Sequence, residues 1–120
     1  MRQFQEYTVL NAKAAAGIDK TILVDDFQHL VVTLNTANSA NCTIKFLGSV
    51  TETAPDFTAA QSVSNAYDFI QAKDLQDGSS IAGDTGITLA GTDDNRIFEI
   101  NTNGLRWFTV RITAYSAGNI

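Results

Sequence analysis

The sequence predicts an all-β fold: a single-domain antiparallel β-sandwich, jelly-roll-like, of about eight strands. Three observations predict it. Thr, Val, Ile and Phe are plentiful while glutamate is confined to Glu6, Glu52 and Glu99, a bias that suits a pleated, half-buried surface better than a helix. Apolar residues recur with period two, the repeat that sends alternate side chains to opposite faces of a strand. Turn signals rich in Asp, Asn and Gly divide these alternating runs, the punctuation expected of a sandwich or barrel.

The elements follow in order along the chain. A first strand is expected near 4–10. NAKAAAG (11–17) has the composition of one helical turn ended by Gly17. Strands near 20–24 and 28–36 are separated by Asp25-Asp26; in the second, Leu30, Val32 and Leu34 share a face, and His29 is in phase with Phe27 and Val31. The Asn38–Asn41 cluster reads as a turn. In the next strand, near 42–50, Cys42, Ile44 and Phe46 oppose Thr43 and Lys45.

TETAPDFTAAQSVSNA (51–66) surrounds Pro55, the only proline. It reads as a long polar loop crossing between sheets, as a Greek key requires, and long loops often carry contacts. Strands near 65–73, 86–90, 95–101 and 105–115 complete the set, with turns at Asp77-Gly78 and Gly91–Asn95. Asn101-Thr-Asn-Gly104 is a hairpin signal, because Asn-Gly accepts positive φ. In the last strand Phe108, Val110, Ile112 and Ala114 point one way. Leu105, Trp107, Thr109, Arg111, Thr113 and Tyr115 point the other.

A chain of 120 residues suits one domain, here 1–120 with residues 1–11 readable as an N-terminal arm. Charged residues are 18% of the chain, and the net charge is −5. With its eight basic residues scattered, the chain lacks the basic patch that nucleic-acid binding needs. It has no apolar run of spanning length and no apolar segment of the kind that leads secretion. Synthesis in the cytoplasm as a soluble protein, with no membrane partner, is the expectation.

No catalytic pattern is present, and the expectation is a protein that is not an enzyme. Cys42 is the only cysteine, which forbids an intrachain disulfide and reads as a small buried thiol. His29 is the only histidine, and no GxSxG, HExxH or GxxxxGK[ST] occurs. It reads as structural, although composition alone leaves a Cys–His pair open. In LQDGSSIAGDTGITLAGTDDN (75–95) and the Asp74 that precedes it, Asp74 with Asp77 and Asp84, or Asp93 with Asp94 and Asn95, carry the oxygens a calcium ion favours. The same Asp and Gly residues are ordinary turn formers, and that reading predicts no cofactor or metal. Trp107 and Tyr115 share a face that is either sandwich interior or an aromatic platform of the kind that stacks on sugars.

The runs DLQDGSSIAGDTGITLAGTDDNRIFEINTNGLRWFTVRITAYSAGNI and FQHLVVTLNTANSANCTIKFLGSV resemble the small virion proteins of tailed bacteriophages, and in particular their β-sandwich head decoration (cement) proteins. The resemblance implies a structural protein on the capsid surface of the virion. Its partners would be the major capsid protein or other virion subunits, and it would itself form a homo-oligomer, a dimer or trimer. A tail or fibre component, either carbohydrate-binding or a tail-tube or connector module, is the alternative. The resemblance carries no residue-level contact motif. Contact candidates therefore come from physics: Phe4 and Tyr7 on the arm, Pro55 and Phe57 on the long loop, Trp107 and Arg111 on the last strand.

Overall fold

A computed structural model describes residues 6–91, 93 and 95–120. Among the described residues there are nine strands: β1 (Thr21–Leu23), β2 (His29–Asn35), β3 (Ala37–Ser49), β4 (Asp68–Phe69), β5 (Ala72–Asp74), β6 (Ser80–Ile81), β7 (Ile87–Ala90), β8 (Asn95–Asn101) and β9 (Trp107–Asn119). No helix occurs among the described residues, so none is long and apolar enough to cross a membrane. One sheet has the order β1-β9-β3-β4, with β7 also paired to β3; the other is β2-β8-β5-β6. Every pairing is antiparallel.

With the short β4 set aside, the pairing is nested: β1 with β9, β2 with β8, β3 with β7 and β5 with β6. The chain is thus one long hairpin whose tip is the β5–β6 turn. It is wound so that its strands fall into two facing sheets, which is the jelly-roll topology.

Period-two patterning fills the space between the sheets. Ile22, Cys42, Ile44, Phe46, Ile87, Leu89, Phe108, Val110 and Ile112 are buried from the first sheet; Leu34, Ala72, Phe98 and Ile100 are buried from the second. Phe46 bridges the layers, its ring centroid 6.0 Å from Phe98 and 6.1 Å from Phe108. Cys42 is the buried thiol its position suggested, and burial pushes its pKa up. Interior polar groups are matched. The Thr102 hydroxyl donates to the Phe27 carbonyl at 3.0 Å, and the Thr109 hydroxyl donates to the Lys20 carbonyl at 2.7 Å. Among the described residues no buried side-chain nitrogen or oxygen lacks a partner, as a well-formed interior requires.

Several expectations need correction. The strand expected near 4–10 does not form over residues 6–10, and residues 1–5 lie outside the described residues. The 11–17 segment makes no helical turn. It bends at 11–12 and 15–16 and touches the C-terminal strand at two points: the Lys13 and Ile120 amides donate to each other's carbonyls, and Gly17 bridges Ile112. Tertiary pairing here overrides the local preference of three alanines. The expected 65–73 strand is two strands, because the chain leaves the first sheet after Phe69 and joins the second at Ala72. β6 was not anticipated; two residues are too few for periodicity to register.

The Asn38–Asn41 cluster is not a turn but part of β3. Asn38 and Ser39 have φ of 60° and 56°, and the register with β9 shifts between Ala37 and Asn41. Asn tolerates the left-handed region, so the chemistry that marks a turn here makes a bulge. Gly118 lies opposite, with φ +89°; a Cβ there would sit 2.3 Å from Ala40 Cα. The Asn103-Gly104 turn does form, with the Leu105 amide donating to the Thr102 carbonyl at 2.9 Å. It joins strands of different sheets, however, and makes no hairpin.

Candidate interaction surface

The outward residues around Leu47, Phe69 and Trp107 on β3, β4 and β9 are buried or half-buried, because the 51–66 loop folds back over this part of the sheet. Its anchors are Phe57, 1% exposed, and Tyr67, whose rings meet edge-on at 5.3 Å. Together with Leu47 they form a second small core, packed against Ile18, Phe69 and Trp107. Asn65 is the loop's internal tie. Its Oδ1 accepts the Asp56 amide at 2.7 Å, and its Nδ2 donates to the Asp56 carbonyl at 2.8 Å and the Ala60 carbonyl at 3.1 Å. The Tyr67 hydroxyl donates to the Ala59 carbonyl at 2.7 Å, and Gln61 donates to the Tyr67 carbonyl at 2.6 Å.

The loop ends in a tight two-residue turn. The Ser62 and Asn65 amides each donate to the other's carbonyl, at 3.1 and 3.2 Å, which leaves Val63 and Ser64 at the tip. Val63 is fully exposed, and Val50, at the loop's start, is 69% exposed. Nearby, the Asp56 carboxylate accepts the Thr58 hydroxyl and amide, which together hold its pKa below the usual value.

Of the sequence-derived contact candidates, four come together here. Trp107 donates its indole N–H to the Thr51 carbonyl at 3.0 Å, and Arg111 donates to the Phe57 carbonyl at 3.4 Å. Both are half-buried beneath the loop, as is Pro55 within it. Phe57 is enclosed, so it shapes the loop rather than offering its own ring. Tyr7 is elsewhere, 36% exposed, with the Lys20 ammonium 5.6 Å from its ring centroid. Phe4 lies outside the described residues. The Trp107 face is therefore the covered outer side of a sheet. Its indole packs against the second core and is half-buried, which leaves less of the flat ring for a sugar to stack on.

The acidic run is distributed among separate duties. Asp74 accepts Arg96 at 2.7 Å and the Gln76 amide at 2.9 Å. Asp77 caps its turn through the Ser79 amide at 2.9 Å, and this bond lowers its pKa. Asp93 accepts the Ser39 amide at 2.8 Å. Asp94 lies outside the described residues. Among the described residues no three metal-binding side chains converge. Asp68 and Asp84 do border one shallow polar depression, with Gln61, Phe69 and Gly83, but Asp68 is engaged by the Phe69 amide at 2.8 Å. His29 is exposed on the outer face of the second sheet, while Cys42 is buried on the inner face of the first. The fold therefore separates the one histidine from the one cysteine.

A second feature lies between the two sheets, at the edge where β2 faces the first sheet. Leu30, Val32 and Leu34 of β2 and Ile22, Phe46 and Phe108 of the first sheet line an open cleft of about 740 Å³. The N-terminal segment from Glu6 to Leu10 borders it. Sequence reading missed the importance of β2. Its signal was the absence of Asp, Glu, Lys and Arg from HLVVTLN, which gains meaning only once β2 is known to be an edge.

The fold and these surfaces define a small jelly-roll module with a braced loop on one face and an open cleft at one edge. Compared with known protein families, curated proteins and solved structures, the chain matches none.

Proposed function

We propose that the chain is a non-enzymatic structural protein of a tailed-phage virion, a decoration (cement) protein that binds the capsid surface and stabilises the head. The observation that carries the reading is the 51–66 loop. It has a small core of its own, a threefold Asn65 tie and a hydrogen-bonded tip, yet it presents Val63 to solvent, with Val50 exposed just before it begins. A loop ordered in advance loses little conformational entropy on docking. Exposed apolar side chains on such a loop gain from being covered. The resemblance of the sequence to phage decoration proteins supplies the partner, the major capsid protein. A clamp that binds the assembled shell stabilises it by mass action and needs no catalytic group.

The test uses particles that lack the protein. Purified protein should rebind them saturably and raise their melting temperature. Val63→Asp should weaken binding at least tenfold while leaving the circular dichroism and melting temperature of the free protein unchanged. Absence of saturable binding by the wild-type chain would refute the reading.

A further inference from the structure

Strand β2, His29 to Asn35, forms one edge of its sheet; among the described residues its only paired strand is β8. Long flat edges template pairing with other chains, and proteins usually blunt them with brevity, lysine, proline or a bulge. The other edge strands here are short: β1 has 3 residues, β4 2, β6 2 and β7 4. β2 has 7 residues, no charged side chain, no proline and an unbroken register with β8. Its inward-facing Leu30 and Val32 are only half-buried, beside the cleft, and its outward Val31 is 63% exposed.

We propose that a second copy of this chain occupies this edge, with β2 pairing antiparallel to β2 of the second copy across a two-fold axis at Val32. The strand is self-complementary about that residue. Leu30 meets Leu34 of the second copy, Val31 meets Thr33, and His29 meets Asn35. Because the register preserves parity, inward residues oppose inward ones and outward oppose outward. A two-fold operator generates this antiparallel geometry without further adjustment. Charge favours the same edge. Each copy carries −5, so copies repel most where carboxylates meet, and β2 itself holds no Asp or Glu, with Glu99 one strand further back. Pairing joins two four-stranded sheets into one continuous sheet, covers Val31 and closes the open side of both clefts. The dimer stands apart from capsid binding, which runs through the loop on the other sheet, so each can fail alone.

Sedimentation velocity on the full chain should give twice the 12.9 kDa chain mass, and hydrogen exchange of the β2 amides should slow as concentration rises. Two double variants test the register. Val31→Lys with Thr33→Lys sets lysine opposite lysine twice across the axis, and like charges directly opposite destabilise a strand pair. Val31→Lys with Thr33→Glu sets lysine opposite glutamate twice. Within one copy, position 31 faces Glu99 and position 33 faces Ile97, so both variants keep the β2–β8 ladder, as circular dichroism would verify. The lysine pair should weaken the dimer at least tenfold, and the lysine–glutamate pair should restore it.

A monomeric wild-type chain overturns the proposal. So does a lysine pair that leaves the dimer intact. A chain lacking residues 1–5 that turns monomeric while both double variants of the full chain stay dimeric assigns the cleft to the N-terminal segment of the second copy instead.

Discussion

Arg96 donates from its guanidinium to Asp74 Oδ2 at 2.7 Å, tying β8 to the last residue of β5. The carboxylate is nearly buried, while the guanidinium is a quarter exposed and lies 5.0 Å from the Phe98 ring centroid. Asp74 also organises the turn at the hairpin tip through the Gln76 amide, and its carbonyl accepts the Gly78 amide at 2.8 Å. Asp74→Ala should therefore cost about 2–3 kcal/mol, below the range for a fully buried pair because Arg96 keeps some water. Asp74→Asn, which keeps an acceptor for Gln76, should cost less. Urea unfolding at neutral pH separates the two.

Asn65→Ala removes three hydrogen bonds from the 51–66 loop. The loss should be about 1–2 kcal/mol, since the freed backbone groups are near solvent. The local signature should be sharper than the global one. Trp107 is the only tryptophan and is bonded to Thr51 at the loop's start. Its emission should shift to the red and its quenching by acrylamide should increase. Unchanged emission would mean that Phe57 and Tyr67 hold the loop without Asn65.

Gly118→Ala should destabilise by about 2–4 kcal/mol, because the new Cβ meets the Ala40 backbone and the positive φ disfavours any side chain. Gly104→Ala is the control. It shares a positive φ of 89°, but nothing lies within 4 Å of its Cβ position, so it carries the conformational cost alone, about 1 kcal/mol. Thermal melts of the two variants should differ accordingly.

Acid stability follows from three carboxylates whose pKa values are lowered in the folded chain. Asp19 accepts the Lys13 ammonium at 2.8 Å, Asp56 accepts Thr58, and Asp77 accepts the Ser79 amide. A group with a depressed folded pKa stabilises fully above its unfolded value, here 3.8. That contribution disappears as pH falls through the lower folded value. The urea midpoint should therefore be flat above about pH 5 and fall below pH 3.8. Replacing all three with Asn should lower the neutral midpoint and flatten the acid limb. An acid limb identical to that of the wild type would show that other carboxylates govern it.

Much of the sandwich was legible because its strands alternate. Cys42, Ile44 and Phe46, or Phe108, Val110 and Ile112, declare an inner face without reference to a partner. What stayed hidden depends on which strand neighbours which. Asn103-Gly104 announces a reversal, but the same turn serves a hairpin or a corner between sheets, and only the tertiary pairing decides. Asn38 and Ser39 carry turn chemistry into a bulge. The second core was invisible because Phe57 is an isolated aromatic in a polar, aperiodic stretch, and nothing local marks Tyr67, in the strand expected next, as its partner. Loop 51–66 was recognised as a long connection, but its rigidity comes from Asn65 reaching back across nine positions to Asp56.

The nested pairing also sets an order of events for a chain that must find its fold. Ala72 meets Ile81 across a short turn, Ile44 meets Ile87 across a longer span, Leu34 meets Arg96 across one longer again, and Ile22 meets Phe108 across most of the chain. Closing a loop costs more entropy the longer it is, and each inner pair shortens the effective loop of the next. Folding that begins at the Asp74–Gly78 turn and zips outward is thus the cheapest route through a topology of high contact order. On that route the turn inside the acidic, glycine-rich stretch closes first, and β1, whose partner lies most of the chain away, docks last.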